Sequence, residues 1–137
     1  MIGYVTVGAD DLVAARAFYD AFLPALRYAL TVSDEGLSYA LPYAKGQSAP
    51  PDFYVKPPFD GKAASVGNGV MVAFDCATQA QVRGCHAAAC AAGGRNEGAP
   101  GFRANYGPGF YVGYLRDPQG NKVALFSNNP DEPARPF

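Results

Sequence analysis

The sequence predicts an α+β fold made of two copies of one pattern, strand, then helix, then short antiparallel strands. Three observations carry this. Each half opens on an apolar segment, Ile2 to Val7 and Val70 to Asp75, and each segment runs into a stretch with helical spacing. Each stretch then gives way to short runs bounded by turn residues. A coarse internal repeat of this kind outweighs any single motif as a guide to architecture.

Ile2 to Val7 is β-branched or aromatic at most positions and reads as a strand. Asp10 or Asp11 can cap the helix that follows, in which Leu12, Ala15, Tyr19, Phe22 and Leu26 form one apolar stripe. Pro24 removes a backbone donor and clashes with the preceding turn, so regular helix is expected to stop near Phe22 or Leu23. Tyr28 to Val32 and Leu37 to Leu41 flank the turn Ser33-Asp34-Glu35-Gly36 and predict a hairpin. A loop from Pro42 to Pro51, the strand Phe53 to Lys56 and a second loop from Pro57 to Asn68 complete the half.

Val70 to Asp75 reopens the pattern as an apolar strand. Thr78 to Ala92 predicts an alanine-rich helix with Val82, Cys85 and Ala89 on one side, ended by Gly93-Gly94. After a loop come strands at Phe110 to Leu115 and Lys122 to Phe126, joined by Asp117-Pro118-Gln119-Gly120, where proline and glycine suit a type I turn. The reading is one domain over 1–137, with a first module of about 1–60, a second of about 69–128 and a short tail, 129–137.

Composition narrows the function classes. The 137 residues include 49% hydrophobic and 17% charged side chains with a formal net charge of -1, as in an ordinary globular protein. The 11 Lys and Arg residues are scattered, which argues against nucleic acid, a partner that needs a clustered basic face. No apolar run approaches a membrane span, and Met1 to Val7 lacks the basic leader of a signal peptide, so a cytoplasmic location is the expectation. Cys76, Cys85 and Cys90 are odd in number without CxxC spacing, which suits reduced core thiols.

The opening Met1-Ile2-Gly3-Tyr4-Val5-Thr6-Val7, with Asp11-Leu12 and Arg16-Ala17-Phe18-Tyr19 after it, resembles the first strand and helix of the vicinal oxygen chelate superfamily. That superfamily includes glyoxalase I, bleomycin-resistance proteins and extradiol dioxygenases. The segments Pro51-Asp52-Phe53-Tyr54, Gly93-Gly94-Arg95-Asn96-Glu97-Gly98-Ala99-Pro100-Gly101 and Asp117-Pro118-Gln119-Gly120-Asn121 resemble one bacterial glyoxalase-like branch. The resemblance covers nearly the whole chain. It implies paired βαβββ modules whose sheets curl into a half-open cup, and a homodimer.

The resemblance also implies a divalent metal, held by a histidine on the first strand of each module and a glutamate on a late strand. Those positions map here to Tyr4, Met71 and Ala124, and a loop that often reads Tyr-His-Pro is Tyr106-Gly107-Pro108. A phenol, a thioether and a methyl group do not replace imidazole and carboxylate donors. A neutral phenol, with an ordinary pKa near about 10, needs a metal already held by other ligands before it ionises usefully. No metal is therefore expected at the inherited position, and no cofactor elsewhere.

His86, the one histidine, stands four residues before Cys90 and can share a helix face with it. A pair of ligands does not make a zinc site, and buried helical cysteines are usually inert, so an ordinary helix role is the simpler reading for both. Cys76, at a strand end, reads the same way. The aromatic set Tyr4, Tyr39, Phe53, Tyr54, Tyr106, Phe110 and Tyr111 divides between core and a concave face that suits a flat or amphipathic ligand. Asp52, Arg103 and Asn105 are candidates for its polar contacts, Arg103 for meeting a carboxylate or phosphate. The glycine-rich pieces match no phosphate loop.

The pocket set expected is thus Tyr4, Tyr39, Phe53, Met71, Arg103, Tyr106, Tyr111 and Ala124. The sequence points to a protein that binds a small organic molecule in a sheet-formed cup without the family metal ligands. The rival is a glyoxalase-like lyase or isomerase, or a dioxygenase-related enzyme, with relocated ligands or with Tyr4, Tyr106 or Tyr111 in acid–base roles. A dimeric scaffold whose cup is filled by its own side chains is the third reading.

Overall fold

The computed structural model describes residues 1–136 as two modules of the same topology. In the first, β1 (Tyr4–Gly8) is followed by α1 (Leu12–Asp20), a 3-10 turn (Pro24–Leu26), β2 (Ala29–Ser33), β3 (Gly36–Ala40) and β4 (Asp52–Lys56). The second repeats the order with β5 (Met71–Asp75), α2 (Gln79–Ala91), β6 (Arg95–Phe102), β7 (Tyr111–Arg116) and β8 (Lys122–Ser127). The sheets run β1-β4-β3-β2 and β5-β8-β7-β6. In each, the opening strand pairs parallel with the last, and the other pairings are antiparallel.

Local chemistry explains the element ends. Asp11 caps α1 by accepting from the Ala14 N–H at 3.0 Å, and Thr78 caps α2 by accepting from Gln81 N–H at 3.0 Å. α1 ends at Asp20, slightly before the expected Phe22, because the ring of Pro24 meets the carbonyl four residues earlier, that of Asp20. In the β2–β3 hairpin Gly36 has φ +132°, and a side chain there would lie 2.5 Å from the Val55 carbonyl oxygen, so β3 and β4 approach closely only with glycine.

One element departs from the sequence reading. Residues 95–102, expected to be loop, form the edge strand β6. Its register shifts between Asn96 and Gly98 and again between Gly98 and Gly101, so the period-two alternation that marks a strand is broken. Pro100 is tolerated because the strand lies at an edge.

The modules share one hydrophobic core. Phe18, Tyr19, Phe22, Leu23, Tyr39, Phe53 and Val55 from the first half join Phe74, Val82, Cys85, Ala89, Leu115, Val123 and Leu125 from the second. Phe74 lies at the junction, with ring centroids 5.1 Å from Phe53, 5.8 Å from Tyr28 and 5.9 Å from Phe22. Polar contacts reinforce it. The turn after β7 places Asp117, 4% exposed, where its Oδ1 accepts N–H groups of Gln119, Gly120 and Asn121 at 3.0, 2.9 and 2.8 Å. Its Oδ2 accepts the Tyr19 hydroxyl at 2.7 Å and the Asn121 amide at 2.9 Å. Asn121 also donates to the Gly8 carbonyl at 2.9 Å, and Gln119 accepts from Asp10 N–H at 2.9 Å.

Candidate functional site

Strand alternation decides which side chains can meet a ligand. On β4 and β3, Phe53, Val55, Leu37 and Tyr39 turn into the core, and on β1 Val5 and Val7 pack against it. The alternate residues Tyr4, Thr6, Asp52, Tyr54 and Lys56 take the opposite face. In the second sheet Tyr111, Leu115, Val123, Leu125 and Ser127 turn inward. The opposite face carries Met71, Ala73, Val112, Tyr114, Arg116, Lys122, Ala124 and Phe126.

This separation corrects part of the expected pocket. Tyr39 is fully buried, with its hydroxyl donated to Asp20 at 2.9 Å, and Phe53 packs on Tyr19 and Phe74. Tyr111 lies on the α2 side, where its hydroxyl accepts from Arg83 at 3.3 Å. All three are core residues, because each sits at the strand parity that faces a helix. Burial raises the Tyr39 hydroxyl pKa well above the ordinary phenol value, and Asp20 reinforces the shift.

Tyr4 and Met71 occupy equivalent first positions of β1 and β5 but line different cavities. Tyr4, edge-on to Tyr54 at 5.5 Å, lies in a cavity of about 760 Å³ with Thr6, Lys56, Pro58, Phe59 and Asp60. That cavity is rimmed by acids, and Lys56 is engaged with Glu35 at 3.2 Å. Met71 lies in a second cavity of about 490 Å³ with Asn105, Tyr106, Gly107, Phe110, Tyr114 and Asn128. Ala124 sits between Ala73 and Tyr114 on the same sheet face, 1% exposed, and flushes the floor instead of lining the space.

The second cavity has the better-built wall. Phe110 stacks on Phe126 at 5.5 Å and meets Tyr106 edge-on at 5.5 Å, so a row of rings stands on the sheet beside the Met71 thioether. Asn105 and Asn128 add amide groups. Gly98 makes room for Tyr114, since a side chain there would come within 3.0 Å of the Tyr114 ring and 3.2 Å of Arg103. Arg103 reaches this ring, 5.3 Å from its centroid, while donating to the Ala99 and Phe102 carbonyls at 2.8 and 3.2 Å. The tail fixes the rim, because Arg135 donates to the Arg103 carbonyl at 2.7 Å and its N–H to the Pro108 carbonyl at 2.7 Å. Tyr114 is held protonated above its ordinary range, first by desolvation and then by hydrogen bonding with Tyr106.

The donors at the inherited metal positions do not fit a divalent ion. Tyr4 and Met71 face separate cavities, and Ala124 has no donor atom. Among the described residues no three His, Cys, Asp or Glu side chains cluster to hold a metal. His86 is buried under β7, its Nε2 at 3.0 Å from the Tyr114 carbonyl, and Cys90 Sγ lies 3.9 Å from Nδ1. Burial pushes the Cys90 thiol up, as befits a packed side chain.

Sequence reasoning does not single out Tyr114 or Asn128, which line the cavity beside Met71. The alternation of Val112, Tyr114 and Arg116 against Tyr111, Gly113 and Leu115 was the available signal for Tyr114.

Neither a protein-family model nor a curated protein sequence matches the chain. Among solved structures, a glyoxalase/bleomycin resistance protein from Albidiferax ferrireducens T118 is 33% identical over 93% of this chain and 98% of its own, with a TM-score of 0.78. A glyoxalase-related enzyme from Fulvimarina pelagi, 18% identical, covers 100% of this chain and 97% of its own with a TM-score of 0.68. Lactoylglutathione lyase from Agrobacterium tumefaciens, 20% identical, covers 93% and 92% with a TM-score of 0.60. These last two share the fold.

Proposed function

Because the chain belongs to the glyoxalase/bleomycin resistance/dioxygenase family, we propose that it binds a small organic molecule on the outer face of its second sheet, without a resident metal. The observation that carries this is the cavity walled by Met71, Tyr106, Phe110 and Tyr114. Its volume of about 490 Å³ falls in the range of small-molecule sites, and it combines an apolar wall with a few amide groups, as such sites do. Rings on a rigid sheet, with Phe110 braced by Phe126, present flat surface at little entropic cost. Titrating labelled protein with small aromatic compounds should move the resonances of Met71, Tyr106, Phe110 and Tyr114 together. No binding by any compound would overturn the reading.

A second copy of the chain is part of this proposal. Strands β1 and β5 are both sheet edges, and Ile2, Tyr4, Val70 and Met71 lie exposed along them. Exposed apolar edges of this kind favour pairing with another chain. Light scattering is expected to give twice the chain mass, and a monomer at micromolar concentration would contradict it.

Enzymatic action of lyase or isomerase type is the second reading, favoured by Tyr106 and Tyr114 sharing the wall of one cavity. With its pKa raised, Tyr114 stays protonated at neutral pH and could act as a hydrogen-bond donor or acid, not as a base. Stoichiometric Zn, Ni, Fe or Mn in protein purified without chelators would favour this reading over metal-free binding.

A further inference from the structure

We infer that the cavity beside Met71 takes an uncharged aromatic compound whose polar edge both donates and accepts hydrogen bonds, a carboxamide being the simplest such group. This rests on the small-molecule reading and names its ligand class. Two properties of the lining carry it: no charged side chain, and a pair of asparagine amides beside the rings.

The wall is electrically neutral. It consists of the Met71 thioether, the rings of Tyr106, Phe110 and Tyr114, a glycine and the two amides, with no Asp, Glu, Lys, Arg or His among them. The Tyr114 phenol adds no charge at neutral pH, because desolvation holds it protonated above its ordinary range. Lys122 and Arg103 lie over the Tyr114 ring, 5.2 and 5.3 Å from its centroid, but neither lines the cavity. Lys122 lines a separate small pocket with Val72 and Asn121. A carboxylate or an ammonium seated against this wall would give up water without gaining an opposite charge, which disfavours it against a neutral group of the same shape. The cavity beside Tyr4 differs, since Asp34, Glu35 and Asp60 stand in its lining.

Asn105 and Asn128 supply the directional contacts. Asn96, Asn121 and Asn129 commit their amides inside the fold, to the Gly98 N–H and to the Gly8 and Ala77 carbonyls, whereas the side chains of Asn105 and Asn128 have no protein hydrogen-bond partner among the described residues. Each therefore keeps a carbonyl acceptor and an NH2 donor for a ligand. A carboxylate can only accept and an ammonium only donate, so either leaves half of this set unused, and a carboxamide meets both halves. Gly109 leaves room at this wall, since a side chain there would crowd Asn128 Oδ1 at 3.4 Å. The apolar body is received by Phe110, stacked on Phe126 at 5.5 Å and edge-on to Tyr106 at 5.5 Å.

The test is an equilibrium titration of the full chain with four probes of similar shape: naphthalene-2-carboxamide, naphthalene-2-carboxylate, 2-naphthylmethylamine and 2-methylnaphthalene. The carboxamide is expected to bind most tightly, about five-fold or more above the methyl compound, with an affinity that salt does not change. Asn105→Leu and Asn128→Leu together should erase that advantage while the methyl compound still binds. Asn128→Asp, which keeps the shape and adds a charge, should turn the preference toward the amine. Binding of the carboxylate, the amine or the methyl compound at least as tight as that of the carboxamide would overturn the ligand class while leaving the small-molecule reading standing. A carboxamide advantage that survives the loss of both amides would overturn it too. If none of the four binds, the small-molecule reading itself falls and the ligand class with it.

Discussion

The hydroxyl of Tyr19 is the residue on which the joint between the modules turns. It is fully buried and donates to Asp117, itself buried and crowded with backbone N–H groups. Tyr19→Phe removes a hydrogen bond to a charged group and is expected to destabilise the fold by about 2 kcal/mol, read as a lower urea midpoint at pH 7. Burial raises the Tyr19 pKa above the ordinary phenol range, followed by the charge of Asp117, and burial likewise raises Tyr39. The folded state thus holds these protons more tightly than the unfolded chain. Their contribution is complete below the unfolded phenol value, near about 10, and declines as pH climbs past it. Urea midpoints measured from pH 8 upward should fall on the alkaline side, and less steeply in Tyr19→Phe. An identical slope in that variant would show that the alkaline loss has another source.

Among the elements, β6 and the segment after it show where sequence patterns run out. The repeat, both helices, the hairpin and the terminal β7–β8 pair were legible because their alternation and capping residues are local signals. β6 was not, since its bulges break alternation and its pairing with β7 is supplied by tertiary contact. The site divided the same way. Met71 and Tyr106 come together at one cavity, whereas the parity of Tyr39, Phe53 and Tyr111 was fixed by which helix each strand faces. The rim itself depends on a distant segment, for Arg135 holds the carbonyls of Arg103 and Tyr106 from the tail, at 2.7 and 3.5 Å. Arg135→Ala should speed amide exchange across residues 103–110 while leaving β7 and β8 protected. Unchanged exchange there would mean the rim is held by its own turns.

Across the whole molecule, a single cluster of buried side chains runs through both modules, and the two are expected to unfold as one cooperative body. Phe74→Ala empties the junction and is expected to cost about 3–5 kcal/mol, with far-ultraviolet circular dichroism and tyrosine fluorescence still melting together. Separate transitions would show two independent halves. The same architecture leaves the cavity beside Tyr4 acidic at its rim, while the cavity beside Met71 is walled by rings and has no acidic side chain in its lining. No helix among the described residues is long and apolar enough to cross a membrane. The central claim, that the cavity beside Met71 binds a small organic molecule without a metal, is tested most directly by titrating naphthalene-2-carboxamide into the protein before and after exhaustive EDTA dialysis. The account predicts the same dissociation constant in both; binding that vanishes with EDTA and returns with added Zn, Ni, Fe or Mn would contradict it.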